Sequence, residues 1–295
     1  MIHMRTAGYK VLRGCKHRDF LRVAMELSNT SSVFSYAGGS YARESVGNEG
    51  LVDVGYTDSR HDLKVHNEMA YVQDYPSHIA FFAETPATGG GGETMLCDGR
   101  LVWRDLSRMA RDTLSSNDLK YTQIYGNETL VYRNRNDYMA LWQEVFGTES
   151  REVAQERAES LGYTVSWSIE NEMEVSFQRR AVRYDMPKLV AGEGEAEAEA
   201  DPGCFFDQIV CCHSKNCSAV TRDGRPHFHV TLDGREQQRV EIPASIMEEV
   251  EHLTELHTVM VELKEGDAIV IDNRMVKHGR RAFDGERSMI AALLC

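Results

Sequence analysis

His66-Asn67-Glu68 sets an imidazole and a carboxylate two residues apart. On an extended strand such positions share a face, because side chains alternate with period two. Two histidines and one carboxylate on one side of a metal ion form a facial triad that leaves coordination positions open. A polar surface strand would carry the same pair, so a third ligand must come from elsewhere. His278 is the best placed. The apolar run Ala268-Ile269-Val270-Ile271 leads into Asp272-Asn273-Arg274, and His278 then stands beside Gly279, which permits close approach of another group. Arg287 heads the next apolar strand, where a guanidinium can clamp a carboxylate through two hydrogen bonds.

Other groupings compete. His227-Phe228-His229 repeats the alternate spacing between polar turns and could offer two imidazoles to a cupin-like metal site. Cys211-Cys212-His213 with Cys217 invites zinc, but no second pair at finger-like spacing follows, and buried thiols on a core strand are the better reading. The run Gly89 to Gly92 lacks the Lys-Ser/Thr of a phosphate loop and reads as a flexible turn that places Thr94 at the mouth of a pocket.

The elements that must position these residues are mostly strands. Ile79 to Phe82, Cys204 to Val210, Phe228 to Leu232, Asp267 to Asp272 and Met289 to Leu294 are short apolar runs bounded by turn residues. Two segments read as helices. In 244–257, Ile246, Val250, Leu253 and Leu256 line one face; in 149–161, Val153, Ala154, Ala158 and Leu161 do so before Gly162. Short strands with peripheral helices and no βαβ alternation indicate a sandwich or barrel rather than a dinucleotide-binding fold.

Composition narrows the class. The 295 residues carry 33 basic and 46 acidic side chains, a net charge of −13, which argues against a broad nucleic-acid-binding face. No apolar run approaches a membrane span, and Met1-Ile2-His3-Met4-Arg5 is not the start of a signal core. Seven unevenly spread cysteines suit a reducing compartment, and a cytoplasmic location is expected. Residues 192–201, rich in Glu and Ala, read as an acidic loop inserted in one domain covering 1–295.

In order along the chain, His66-Asn67-Glu68-Met69-Ala70-Tyr71, Pro76, Phe81-Phe82, Pro86-Ala87 and Gly91-Gly92-Glu93-Thr94 with Asp98 and Arg100 form the first motif block. Trp142 to Phe146, Trp167 and Phe205-Phe206-Asp207-Gln208 follow. Gly266-Asp267, Asp272-Asn273-Arg274, His278-Gly279-Arg280, Phe283 and Arg287 form the last. The series resembles the taurine-dioxygenase-like (TauD/TfdA) family of iron(II)- and 2-oxoglutarate-dependent oxygenases over residues 36–294. It is most similar to the branch of amino-acid hydroxylases with a His-x-Glu…His iron site.

The resemblance implies a mainly β fold with peripheral helices, a double-stranded β-helix of jelly-roll, cupin-like form. It implies Fe(II), 2-oxoglutarate and O2, with His66, Glu68 and His278 as iron ligands and Thr94 and Arg287 on the distal carboxylate of 2-oxoglutarate. It implies a dioxygenase that hydroxylates an unactivated C–H bond of a small amino-acid-like metabolite through a ferryl species. Desaturation or oxidative cyclisation would use the same ligands, and a non-catalytic metal- or metabolite-binding β-helix protein is the remote alternative. Related halogenases have Gly or Ala in place of Glu68, so halogenation is not expected.

Several departures from the family pattern bear on the site. The extra glycine before Thr94 suggests a looser loop. The short interval from His278 to Arg287 leaves open whether Arg280 or Arg281 assists. Ala291 stands where taurine dioxygenase has a second arginine for the sulfonate, which disfavours a sulfonate substrate. Asn67, Tyr71 and Arg43 lie in regions resembling substrate-facing parts of the family. The expected partner is a small molecule, with no nucleic acid and no membrane. An acidic carrier protein is disfavoured by the charge of −13, and a homo-oligomer is left open.

Overall fold

The computed structural model describes residues 7–35, 45–47, 50–54, 59–127, 140–187, 203–212, 226–233 and 239–295. It opens with β1 (Tyr9–Leu12) and α1 (His17–Ser28), followed by β2 (Ser45–Val46), β3 (Leu51–Asp53), β4 (Leu63–His66), β5 (His78–Thr85) and β6 (Thr94–Asp98). The helices α2 (Gly99–Asp105) and α3 (Arg108–Ser116) lead into β7 (Asp118–Tyr125), and α4 (Trp142–Phe146) and α5 (Arg151–Ser160) into β8 (Thr164–Trp167) and β9 (Met173–Arg180). Next come β10 (Val182–Arg183), β11 (Cys204–Phe205), α6 (Ile209–Cys212), β12 (Phe228–Asp233) and β13 (Arg239–Val240). The chain continues with α7 (Ala244–Leu256), β14 (Thr258–Val261), β15 (Ala268–Asp272), β16 (Val276–Arg280) and β17 (Ser288–Leu294).

These strands form a six-stranded sheet, β1-β15-β5-β17-β3-β2, and a four-stranded sheet, β14-β6-β16-β4. The middle of the chain adds a five-stranded sheet, β13-β12-β7-β9-β8, and the pair β10-β11. Antiparallel pairing with helices outside is the mainly β architecture expected. The six-stranded sheet is covered on both faces, which explains why β15 and β17 read as continuous apolar runs without alternation. On one face Ile79, Ile269, Ile271, Met289 and Leu293 enter the large core. On the other, Ala80, Phe82, Val270, Ile290 and Ala292 pack beneath Phe20 and Ala24 of α1.

The helix read at 244–257 is α7, with Ile246, Val250 and Leu253 buried. The one read at 149–161 is α5; the Ser150 hydroxyl caps the Val153 N–H, and Gly162 follows at φ 85°. The run Cys204 to Val210 is not one strand. Only Cys204 and Phe205 pair, with Arg183 and Val182; the chain then turns, and the Asp207 carboxylate accepts from the Ile209 N–H at 2.7 Å to start α6. Burial on all sides made this segment apolar without making it extended. Cys211 and Cys212 accordingly lie on a short helix rather than a core strand. Cys217, His213 and the acidic 192–201 stretch lie outside the described residues. Among the described residues, no helix is long and apolar enough to cross a membrane.

Candidate active site

β4 and β16 pair so that His66 is the register partner of His278. Their rings are 4.6 Å apart. Glu68 Oε2 lies 3.8 Å from His66 Nε2 and 3.6 Å from His278 Nε2. All three side chains are buried, and their ligating atoms lie within 4.8 Å of one another. His66 Nδ1 donates to the Lys64 carbonyl at 2.9 Å. A carbonyl can only accept, so the proton sits on Nδ1 and the Nε2 lone pair faces Glu68. Two imidazoles and one carboxylate, converging within 4.8 Å of one another, fit a ferrous ion with open positions.

Strand alternation does not produce this convergence. β4 stops at His66, and Glu68 lies in the following turn, where Met69 has φ 56°. The left-handed region costs an L-residue about 1–2 kcal/mol, and Met69 is buried there. Beyond its own Ala70-to-Asn67 and Val72-to-Met69 bonds, the backbone of the turn is held by distant segments. Asn273 and Gln208 hold Glu68 and Asn67, and the buried Lys277–Asp207 ion pair lies directly behind them. The sequence reading gave these residues no task. Asp207, Gln208 and Asn273 stood in the sequence only as members of the motif series, and the Asp272-Asn273 step after an apolar strand reads as an ordinary turn.

A second group lies one step along β16. Arg280 is the register partner of Thr94, two residues from the pairing of His278 with Leu96. Thr94 is buried as the first residue of β6, paired also with Val261 of β14, so the extra glycine does not leave it on a loose loop. Gly91 and Gly92 adopt φ 77° and 79°, and a Cβ on Gly92 would come within 3.3 Å of Arg287 Nε. Arg287 and Arg280 both lie against the Phe283 ring, at 5.4 and 4.8 Å. Burial, then the neighbouring Arg280 charge, pushes the Arg287 guanidinium down to about 10. No carboxylate among the described residues pairs with Arg287, which suits it to a small anion. Arg281 faces away and bonds Asp62 at 3.0 Å.

The remaining sequence candidates fall as follows. Asn67 is fully buried; its amide donates to the Asn273 carbonyl at 2.6 Å and accepts from the Asp207 N–H at 3.0 Å. Tyr71 is buried edge-on against Phe228, their centroids 5.2 Å apart. Arg43 lies outside the described residues. His227 is enclosed, and burial, opposed by a weaker hydrogen bond to the Ile124 main chain, pushes its pKa down to about 4. Among the described residues, His66, Glu68 and His278 form the one metal-binding group of three, and His227 and His229 do not belong to it.

The chain matches the pattern of the family described as "Taurine catabolism dioxygenase TauD, TfdA family" over residues 3–293. It is 26% identical over 269 residues to a clavaminate synthase-like protein of Arabidopsis thaliana, covering 88% of this chain and 72% of that protein. It is 25% identical over 240 residues to the dapdiamide synthesis protein DdaC of Enterobacter agglomerans, covering 78% of this chain and 64% of that one. Among solved structures, a taurine dioxygenase from Burkholderia xenovorans has a TM-score of 0.51 at 11% identity, covering 97% of this chain and 75% of that one. The PvcB protein of Pseudomonas aeruginosa also has 0.51, at 10% identity, covering 99% and 76%. These structural likenesses speak for the jelly-roll fold alone. The match over nearly the whole chain identifies this protein as a member of the TauD/TfdA family, the iron(II)- and 2-oxoglutarate-dependent dioxygenases.

Proposed function

We propose that this oxygenase hydroxylates an unactivated C–H bond of a small amino-acid-like metabolite. In this reading His66, Glu68 and His278 hold the iron, Thr94 and Arg287 receive the distal carboxylate of 2-oxoglutarate, and residues 1–295 act as one domain. The observation that carries it is the buried His-Glu-His group combined with Arg287, a half-buried cation with no anionic partner among the described residues. Iron(II) bound there supplies, with 2-oxoglutarate and dioxygen, the oxidising power that breaks the C–H bond.

The chain's own residues do the positioning. His66 keeps its proton on Nδ1 against the Lys64 carbonyl, so Nε2 is free to ligate. Glu68 contributes the single negative charge of the ligand set. Phe81, its ring 5.3 Å from that of His278, gives the site an apolar wall on that side. Arg280 adds a second positive charge beside Arg287, which favours a dianionic co-substrate.

Ala291 supports a substrate without a sulfonate. It is the register partner of Phe81, so its small side chain shares that inner face and brings no cation. Relatives named for dapdiamide synthesis and for likeness to clavaminate synthase support a specialised metabolite. The net charge of −13 favours a free small molecule over one tethered to an acidic carrier.

The test is an anaerobic titration of metal-free protein with iron(II) and 2-oxoglutarate, wild type beside His278→Ala. A visible charge-transfer band in the wild type alone is the expected result; no band in either overturns the site. A substrate screen by succinate release follows. A product heavier by one oxygen supports hydroxylation, whereas one lighter by two hydrogens assigns the enzyme to desaturation or ring closure.

A further inference from the structure

We propose that Asn273 is a positioning residue that sets Glu68 for the metal, acting with Asn67 and Gln208 as a cage of three side-chain amides. The proposal rests on the reading of His66, Glu68 and His278 as the metal centre. Glu68 has no strand or helix to hold it, and the left-handed Met69 beside it is a conformation that a methionine does not choose unaided. Something outside the turn must impose it.

The hydrogen bonds identify what does. Asn273 Oδ1 accepts from the Glu68 N–H at 2.7 Å, and Asn273 Nδ2 donates to the Glu68 carbonyl at 3.0 Å. One primary amide thus engages both main-chain groups of Glu68, the pair of bonds that a neighbouring β-strand would make. The same Nδ2 donates to the Pro76 carbonyl at 2.9 Å, pinning the far end of the loop.

Asn67 is held in the same manner. Its N–H donates to the Asp207 carbonyl at 3.1 Å, and Gln208 Nε2 donates to its carbonyl at 2.8 Å. Its own side chain ties Asp207 N–H to the Asn273 carbonyl. Each of the four main-chain polar groups of residues 67 and 68 therefore bonds Asp207, Gln208 or Asn273, and the Asn67 carbonyl accepts in addition from the Ala70 N–H at 3.4 Å.

Asn273 is itself fixed. Its N–H donates to the Ser77 carbonyl at 3.0 Å, and its neighbours Asp272 and Arg274 are locked together by a bidentate pair. A carboxamide supplies both functions from two separate atoms, whereas a carboxylate lacks the donor and an aliphatic side chain lacks both. Asn67, between two ligands in the sequence, thereby belongs to the frame of the site.

The test uses cobalt(II) as a visible stand-in for iron(II), titrated into metal-free wild type, Asn273→Ala, Glu68→Ala and Phe20→Ala. Phe20 belongs to α1 and is buried against the opposite face of the six-stranded sheet, so its variant reports destabilisation remote from the site. Melting temperatures are recorded with and without cobalt. Asn273→Ala should bind cobalt about 10–100-fold more weakly, with a changed ligand-field spectrum and a smaller cobalt-induced rise in melting temperature. Phe20→Ala should melt lower yet bind cobalt as the wild type does.

Should Asn273→Ala not fold, Gln208→Ala removes one bond of the cage and should weaken cobalt binding several-fold. Cobalt affinity within twofold of wild type in the folded cage variant, with Glu68→Ala defective, overturns the positioning role alone. Equal losses in Asn273→Ala and Phe20→Ala overturn it too, as a purely structural effect. Cobalt binding unaffected by Glu68→Ala sinks the metal centre, and this proposal with it.

Discussion

Arg280 and Arg281 are adjacent in the chain, yet one is buried and the other exposed. Arg280 lies inside, 4.8 Å from the Phe283 ring and opposite Thr94, while Arg281 reaches outward to Asp62 at 3.0 Å. β16 ends at Arg280, which stays buried beside Arg287, whereas Arg281 lies just past the strand end and is exposed, so of the two only Arg280 can meet an anion in the site.

The arginines should therefore differ in kinetics. Arg287→Ala is expected to raise the 2-oxoglutarate KM about 10–100-fold, the loss of one or two charge-assisted hydrogen bonds. Arg281→Ala should stay within about twofold of wild type, since surface ion pairs contribute little. Succinate release at varied 2-oxoglutarate measures both; a defect in Arg281→Ala equal to that of Arg287→Ala would reverse the assignment.

The glycine turn gives a second expectation. A Cβ on Gly91 would lie 2.1 Å from the Ala282 carbonyl oxygen, at φ 77°. Gly91→Ala should destabilise the protein by about 2 kcal/mol or more. Gly92→Ala, crowding Arg287 and Ala87, should act mainly on 2-oxoglutarate and raise its KM about tenfold. Thermal melts alongside the kinetics separate the two effects.

Glu68→Ala should abolish turnover while leaving the circular dichroism spectrum unchanged, because the turn is held through its backbone rather than its carboxylate. Full activity in that variant is incompatible with the ligand set.

Lys277 and Asp207 form an ion pair sealed from solvent, with the Lys277 ammonium 4.4 Å above the Phe205 ring. Lys277→Met leaves Asp207 charged and unpaired, at a cost of about 3–5 kcal/mol. Adding Asp207→Asn should recover part of it, since that removes the stranded charge. Denaturant melts of the single and double variants check this.

His227 predicts acid sensitivity. Its folded pKa of about 4 lies below the ordinary 6.5, so between these values the unfolded chain binds a proton that the folded chain refuses. Its contribution is constant above about 6.5 and is lost as pH falls towards 4. Relative to His227→Leu, the metal-free wild type should lose on the order of 3 kcal/mol as pH falls from about 7 to about 4. Parallel pH profiles in denaturant melts would reject this reading.

The sequence by itself determined the strands β5, β12, β15 and β17 and the helices α5 and α7, because periodicity, capping and turn residues are local properties. It also determined the family, through motif order, and the three residues that converge. What only tertiary structure decided was how they converge. His66 and Glu68 meet through a turn fixed by Asn273 and Gln208, more than a hundred residues away in sequence, and no local pattern encodes such hydrogen bonds. The segment from Cys204 to Val210 looked extended because apolar composition records burial, whereas the helical turn at Ile209 depends on the Asp207 cap and on the packing around it. The inward place of Arg280, opposite Thr94, likewise needed the register of β16 against β6, which is set by pairing between distant strands.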